Sequence, residues 1–375
     1  MSRVIFRAAP DYTYDDIRRH VGDMLEMFGG GSIERGSIVL VKPNLLGPAA
    51  PEAAMVTHPH VVRAAVEYVL EQGAYPQVSD SPAMGSFDKV LEKSGLKEAL
   101  GGYDVIFKEF RDSAVVNVGD PFKKIEVASD AVNTSFVINL PKLKSHTQML
   151  LTLGVKNIYG CIVGLRKPEW HFRTGVNRYL FAKLLVQTCM VVNPSVTILD
   201  GILAMEGQGP GRGGIPRRMG ILVGSADPVL LDMAVCRMLG IDPFSLMTNR
   251  AALDMGLVDA EVEIVGDMPS VRDFKFPEIT PLVFGPLSMH GFMRRHLVQR
   301  PVCDYSVCRR CGECWRYCPA KAISLKGRRL SFDYDKCIRC YCCLEVCPYG
   351  ALRAEEPGIG RVIKKIMGYD RQAQE

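Results

Sequence analysis

No apolar run of about 18 residues occurs anywhere in the chain, so no membrane-spanning helix is predicted. The opening residues, Met-Ser-Arg-Val-Ile-Phe-Arg, lack the apolar stretch of a signal peptide, which leads us to expect a cytoplasmic protein. Neither a Walker pattern nor a Gly-x-Gly-x-x-Gly opening a helix is present, so there is no flavin, nicotinamide or nucleotide fingerprint. Basic patches interleaved with aromatics are missing outside the C-terminal region, and nucleic-acid binding is not expected. What remains is ordinary for a globular protein: 47% hydrophobic and 23% charged residues, in 375 residues that can form a large domain plus a small one.

Cysteine, by contrast, is plentiful, with thirteen in the chain. In a cytosolic setting they read as metal ligands rather than disulfides. Cys308-x-x-Cys311-x-x-Cys314-x-x-x-Cys318-Pro319 is followed by Cys337-x-x-Cys340-x-x-Cys343-x-x-x-Cys347-Pro348. Each run has the bacterial spacing for a 4Fe–4S cluster, and in two-cluster ferredoxins the fourth cysteine of each run serves the other cluster. Two 4Fe–4S clusters are therefore expected. Cys308, Cys311, Cys314 and Cys347 would hold one, and Cys337, Cys340, Cys343 and Cys318 the other. Two zinc sites fit poorly, because zinc sites usually pair Cys-x-x-Cys units. Cys303 and Cys342 fall outside the pattern. Cys161, Cys189 and Cys236 sit in apolar surroundings, as small buried hydrophobes do.

The net charge of +5 is unevenly spread. From Pro286 onward, 17 Lys/Arg face 9 Asp/Glu, whereas the rest holds 29 against 32. Cations near thiolate-bound clusters would raise their reduction potential, and a basic face also suits an acidic docking partner. Solvated surface charge is the plainer account.

Strand-like stretches near 3–8, 37–42, 77–82, 136–141, 196–200, 219–224 and 262–266 alternate with helical ones near 15–28, 57–72, 86–100, 178–192 and 228–239. Further strands are expected near 104–110, 114–118 and 123–128. Thr57 and Asp227 are expected N-caps. The pattern predicts an α/β domain over 1–270 with a mostly parallel or mixed sheet and flanking helices. A Pro-rich linker at 271–302, a small α+β ferredoxin-like module at 303–356 and a polar tail at 357–375 complete the chain. In such sheets ligands bind beyond the carboxyl ends of strands, which selects Lys42, Asn44 and Asp80 as candidates.

Polar residues concentrate between 142 and 171: Lys142, Lys144, His146, Lys156, Asn157, Arg166, Lys167 and His171. Their charges stand singly among glycines and apolar residues, as where a backbone closely approaches a ligand. Lys42, Lys142, Lys144 and Lys156 would hold an anion, with Asn44, Asn157 and Asp80 beside it. His146 or His171 would supply protons. Glu206 precedes a loop with five glycines between 207 and 214, either a lid that positions Glu206 on closing or a phosphate cradle. No carboxylate or third histidine sits at ligand spacing, so a metal is not expected there.

Four segments together resemble domain-of-unknown-function family 362. They are Val41-Lys42-Pro43-Asn44, Lys142-Leu-Lys144-Ser-His146, Gly154-Val-Lys156-Asn157-x-x-Gly160, and Asp200-Gly-Ile-x-Ala-Met-Glu206-Gly-x-Gly209-Pro210. The resemblance covers about 1–270 plus the module. It implies an iron–sulfur protein of unassigned chemistry, since many members carry a C-terminal two-cluster module. The segment around Lys156 is also similar to the lysine-bearing stretch of nickel-pincer lactate racemases, in which the lysine tethers a nicotinate-derived cofactor. Their histidine-rich signature is not evident here. The expected function is an electron relay from a redox partner protein to an anionic small molecule. The alternatives are an electron carrier without its own substrate and, more remotely, a lysine-tethered cofactor enzyme.

Overall fold

The computed structural model describes residues 3–175, 177–258, 261–277 and 298–358. The chain opens with β1 (Arg3–Ala8), α1 (Tyr14–Met27), β2 (Ile38–Pro43), α2 (Pro59–Glu71), β3 (Tyr75–Val78), α3 (Phe87–Lys93), α4 (Leu96–Ala99) and β4 (Ile106–Phe107). Next come β5 (Ser113–Gly119), β6 (Lys123–Ala128), α5 (Ser129–Val132), β7 (Val137–Leu140), β8 (Lys142–His146) and β9 (Leu150–Thr152). Then follow α6 (Gly154–Asn157), α7 (Arg166–Thr174), α8 (Arg178–Val192), β10 (Val196–Gly207), β11 (Gly214–Ser225), α9 (Pro228–Met238), α10 (Met247–Asp254) and β12 (Glu263–Val265). The small unit holds β13 (Arg300–Cys303), α11 (Glu313–Arg316), β14 (Ile323–Lys326), β15 (Arg329–Phe332), α12 (Cys342–Glu345) and β16 (Leu352–Glu355).

Ten strands make one mixed sheet, in the order β12-β1-β11-β10-β7-β2-β3-β4, with β8 paired to β10 and β9. Its centre is parallel, and β11 runs antiparallel to both β1 and β10. Apolar runs such as Ile38–Val41 form these strands because both faces of the sheet are covered. Val39 and Val41 enter one core with Ile17 and Val61 of α1 and α2. Leu40 enters the other core with Phe181 and Leu231 of α8 and α9. The expected strands near 114–118 and 123–128 are β5 and β6, which pair only with each other, outside the main sheet.

Two details correct the sequence reading of local structure. Helix α2 is capped by His58, whose side chain accepts from His60 N. The Thr57 hydroxyl instead donates to Leu140 O at 2.7 Å and accepts from Asn44 N at 2.8 Å, tying strand ends together. Asp227 caps α9 as expected. Within the expected linker, Phe274 is buried in the larger unit and Lys275 O accepts from Gly207 N at 2.7 Å, so residues 271–277 pack on that unit. Residues 278–297 and the tail beyond 358 lie outside the described residues.

The small unit docks on the carboxyl side of the sheet. Val346 joins the same apolar core as Val41 and Leu140. The glycine-rich loop between β10 and β11 forms the seat. Gly209 N donates to Ser145 Oγ at 3.2 Å, and Thr147 N donates to Gly209 O at 3.2 Å. A Cβ on Gly209 would stand 2.4 Å from Ser145 O, so only glycine allows this approach. One on Gly211 would stand 3.3 Å from Glu345 O. The loop is thus wedged between β8 and α12, which corrects its reading as a lid or phosphate cradle.

Candidate functional site

Strand β8 carries Lys142, Lys144 and His146 on one face, because alternate residues of a strand point the same way. All three are buried, and each meets a different partner. Lys142 Nζ donates to Asp200 Oδ2 and to Tyr12 Oη, both at 2.8 Å. Lys144 Nζ donates to Asn44 Oδ1 and Met55 O, both at 2.8 Å, and makes no ion pair among the described residues. His146 Nδ1 accepts from Gln148 N and Met149 N, so the ring proton belongs on Nε2, which lies 3.2 Å from Glu345 Oε1.

Asparagines extend this array across the strands. Asn44 Nδ2 donates to Asn157 Oδ1 at 2.9 Å, and Asn157 Nδ2 donates to Asn139 Oδ1 at 2.8 Å. Asn139 in turn donates to Gly154 O at 3.0 Å. Helix α6, which bears Lys156, is also held from the other side. Buried Asp232 accepts from Gly154 N at 2.7 Å and from Val155 N at 3.2 Å. A four-residue helix with apolar surroundings needs such an acceptor for its first amides.

Part of this array opens on a cavity of about 760 Å³, mouth included. Lys42, Lys144, Lys156, Lys167 and His171 form one wall. Tyr317, Cys342, Glu345 and Val346 of the small unit form the other. Lys42 Nζ lies 3.1 Å from Asp80 Oδ1, and the pair is fully buried. Gly160 makes room for it, since a Cβ there would stand 2.2 Å from Asp80 Oδ1. Lys167 Nζ donates to Ser81 O at 2.6 Å. Among the described residues, the half-buried Lys156 ammonium has no hydrogen-bond or ion-pair partner. Thr152 Oγ1 and His171 Nδ1 are likewise buried without a partner. Unsatisfied polar atoms beside a cavity make it a candidate ligand site.

Burial sets the proton affinities here. It pushes Lys144 down to about 7, helped by the Lys156 charge, and Lys167 down to about 8. Lys156 is also lowered by burial, which Glu345 opposes. His146 falls to about 4 and His171 to about 3, again chiefly through burial. Burial would raise Glu345, but His146 and Lys156 outweigh it and bring the carboxyl to about 2.

The cysteines of the two runs lie together in the small unit. Cys308, Cys311, Cys314 and Cys347 line a second cavity of about 320 Å³. Burial and its three neighbours push the Cys314 thiol up to about 12. Cys343 is raised by burial, with Cys340, Cys337 and Cys318 close by. Cys318 Sγ accepts from Ala322 N at 3.2 Å, and Cys347 Sγ accepts from Ala351 N at 3.3 Å. Amide bonds to sulfur are among the devices that tune iron–sulfur clusters, and bound metal would override the raised thiol pKa values. These quartets fit iron–sulfur clusters.

Of the candidates from the sequence, Lys42, Asn44, Asp80, Lys144, Lys156, Asn157 and His171 line the first cavity. His146 stands behind its wall, against Glu345. Lys142 does not line it, because Asp200 and Tyr12 hold its ammonium. Glu206 does not reach it either, since Arg217 Nη1 at 2.9 Å and Lys275 N at 3.1 Å occupy its carboxylate. Thr152, Tyr317, Cys342 and Glu345 were not legible as site residues. Thr152 lies at the end of β9 and carries no charge to mark it, and only the docking of the small unit brings Tyr317, Cys342 and Glu345 to the cavity.

A family model described as a domain of unknown function (DUF362) matches residues 39–237, and one described as a 4Fe-4S dicluster domain matches 307–351. The chain therefore belongs to the DUF362 family and carries an iron–sulfur module at its C-terminal end. It is 37% identical over 270 residues to the thylakoid-associated protein sll1697 of Synechocystis sp. (strain ATCC 27184 / PCC 6803 / Kazusa), covering 70% of this chain and 84% of that one. The apoprotein of lactate racemase from Thermoanaerobacterium thermosaccharolyticum aligns over 61% of this chain and 55% of its own. The TM-score is 0.38 and the identity 10%, a likeness too slight to bear on chemistry. No described helix is long and apolar enough to cross a membrane.

Proposed function

We propose that the protein is an iron–sulfur reductase acting on a small dianion held between its two units. One observation carries this reading. The cavity has lysines on one wall and, on the other, Tyr317 and Cys342, the immediate neighbours of Cys318 and Cys343. Two 4Fe–4S clusters bound by the quartets would supply one-electron chemistry. The charge count favours a dianion. Lys42 is offset by Asp80, while Lys144, Lys156 and Lys167 face one carboxylate, that of Glu345.

Lys156 meets the anion, its ammonium having no other partner, and Thr152 and His171 orient it. Adding two electrons across a double bond also takes up two protons. His146 and His171, expected as proton suppliers, are held neutral by burial at pH 7. Lys156 and Lys144, whose burial weakens their hold on the proton, are the better acids.

The test is anaerobic. The protein is reduced with dithionite, freed of excess reductant and mixed with a panel of dicarboxylates and phosphate esters while visible absorbance is followed. Reoxidation by one of them, lost in Lys156→Ala at unchanged iron content, is expected. Equal reoxidation in both proteins would overturn the proposal, as would a chain reoxidised only by other proteins.

A further inference from the structure

The two cysteine quartets are not equivalent. Cys340 and Cys343 are buried, as are Cys314 and Cys347 of the other quartet, and α12, which carries Cys343, faces the lysine cavity. Cys311 of the other quartet is exposed. Around it the surface is basic and unusually apolar. Arg309 and Arg310 are exposed and line the cavity of that quartet. Tyr305, Val307 and Tyr349 are 46%, 40% and 46% exposed. Arg329 lies over the Tyr305 ring at 5.4 Å, which joins the β14–β15 hairpin to the same face.

Charge follows this division along the chain. Residues 303–332 carry seven Lys/Arg against two Asp/Glu, whereas 333–358 carry three against five. The net charge is thus +5 on the exposed half, and the companion half reverses the sign.

We infer that this face is a docking surface for an acidic one-electron carrier protein, such as an acidic ferredoxin or flavodoxin. Exposed aromatic and aliphatic side chains supply the contact centre, and the arginines supply steering and orientation. The carrier gives up one electron at each encounter, so a two-electron reduction consumes two encounters. A second copy of this chain fits less well, because its own net charge is +5. The inference rests on the proposed relay only for the direction of electron flow.

The experiment uses holoprotein and an oxidised acidic plant-type ferredoxin as the probe. Binding is measured anaerobically by surface plasmon resonance across ionic strength. Wild-type binding should weaken steeply with salt. Arg328→Glu/Arg329→Glu, outside the cysteine loops, should raise Kd by about tenfold or more at unchanged iron content. Arg309→Glu/Arg310→Glu should do the same if its iron is retained. Unchanged affinity in the hairpin variant would overturn the inference. So would equal binding of a basic cytochrome, or capture by anionic phospholipid vesicles or single-stranded DNA instead of the ferredoxin. Reoxidation of dithionite-reduced protein by small dianions is read separately. Its loss would count against the cavity proposal and leave the docking surface standing.

Discussion

Three lysines lie in the cavity wall without a carboxylate of their own, and their titration gives the site a pH signature. Lys144 is lowered to about 7, by burial first and then by Lys156, against Glu345 and Asp80. Lys167 is lowered to about 8 by burial, with Lys42 adding to it and Asp80 opposing. Both are charged below these values, and under the proposed function that charge would hold the anion. Affinity should therefore be strongest below pH 7 and fall as pH rises through 7 to 8, as read in a titration of the reduced protein with the dianion. Stability should move the other way. A lysine whose folded pKa is depressed costs stability while it is held charged, and the cost is relieved between pH 7 and about 10 as the folded form loses its proton first. Thermal unfolding across that range checks the sign. Sequence reading singled out Lys42, Lys144 and Lys156, which line the cavity, because each follows a predicted strand or lies among glycines. It misjudged Lys142, since Asp200, fifty-eight positions away, pairs in register with it on β10.

Among the elements, α6 is the shortest that matters. Its four residues present Lys156, and its first two amides rest on Asp232. Asp232→Ala would leave two buried amides unpaired, a loss of roughly 1–3 kcal/mol each at most, lowered by any water that enters. The expected result is a lower unfolding temperature and weaker anion binding, because Lys156 would no longer be fixed. Asp232→Asn, which keeps one acceptor, should recover part of both. A variant unchanged in both measurements would mean that α6 needs no cap. The elements themselves were largely visible in the sequence. Apolar runs marked β2, β7 and β11, and Pro228 after Asp227 marked α9. What periodicity could not supply was partnership: nothing local to 113–128 says that β5 and β6 stand apart from the sheet, or that the loop at 207–214 clasps another unit.

For the molecule as a whole, the cysteine spacing foretold the small unit, but its seat on the sheet was not legible, because it depends on surfaces far apart in sequence. Gly209 is where the seat can be tested. Gly209→Val would push the loop off Ser145 and tilt the small unit away, overpacking that costs about 1–3 kcal/mol. Iron content should stay at the wild-type level while affinity for the dianion drops by about tenfold or more. Iron analysis and the reoxidation titration separate the two effects, and undiminished affinity would show that the cavity does not need the clasp.

Tyr317, Cys342, Glu345 and Val346 belong to the segment that wraps the metal, and they also close the cavity. Under the proposed function, capture of the anion and delivery of electrons to it would thus depend on one stretch of polypeptide, so that loss of iron would be expected to cost the protein both at once.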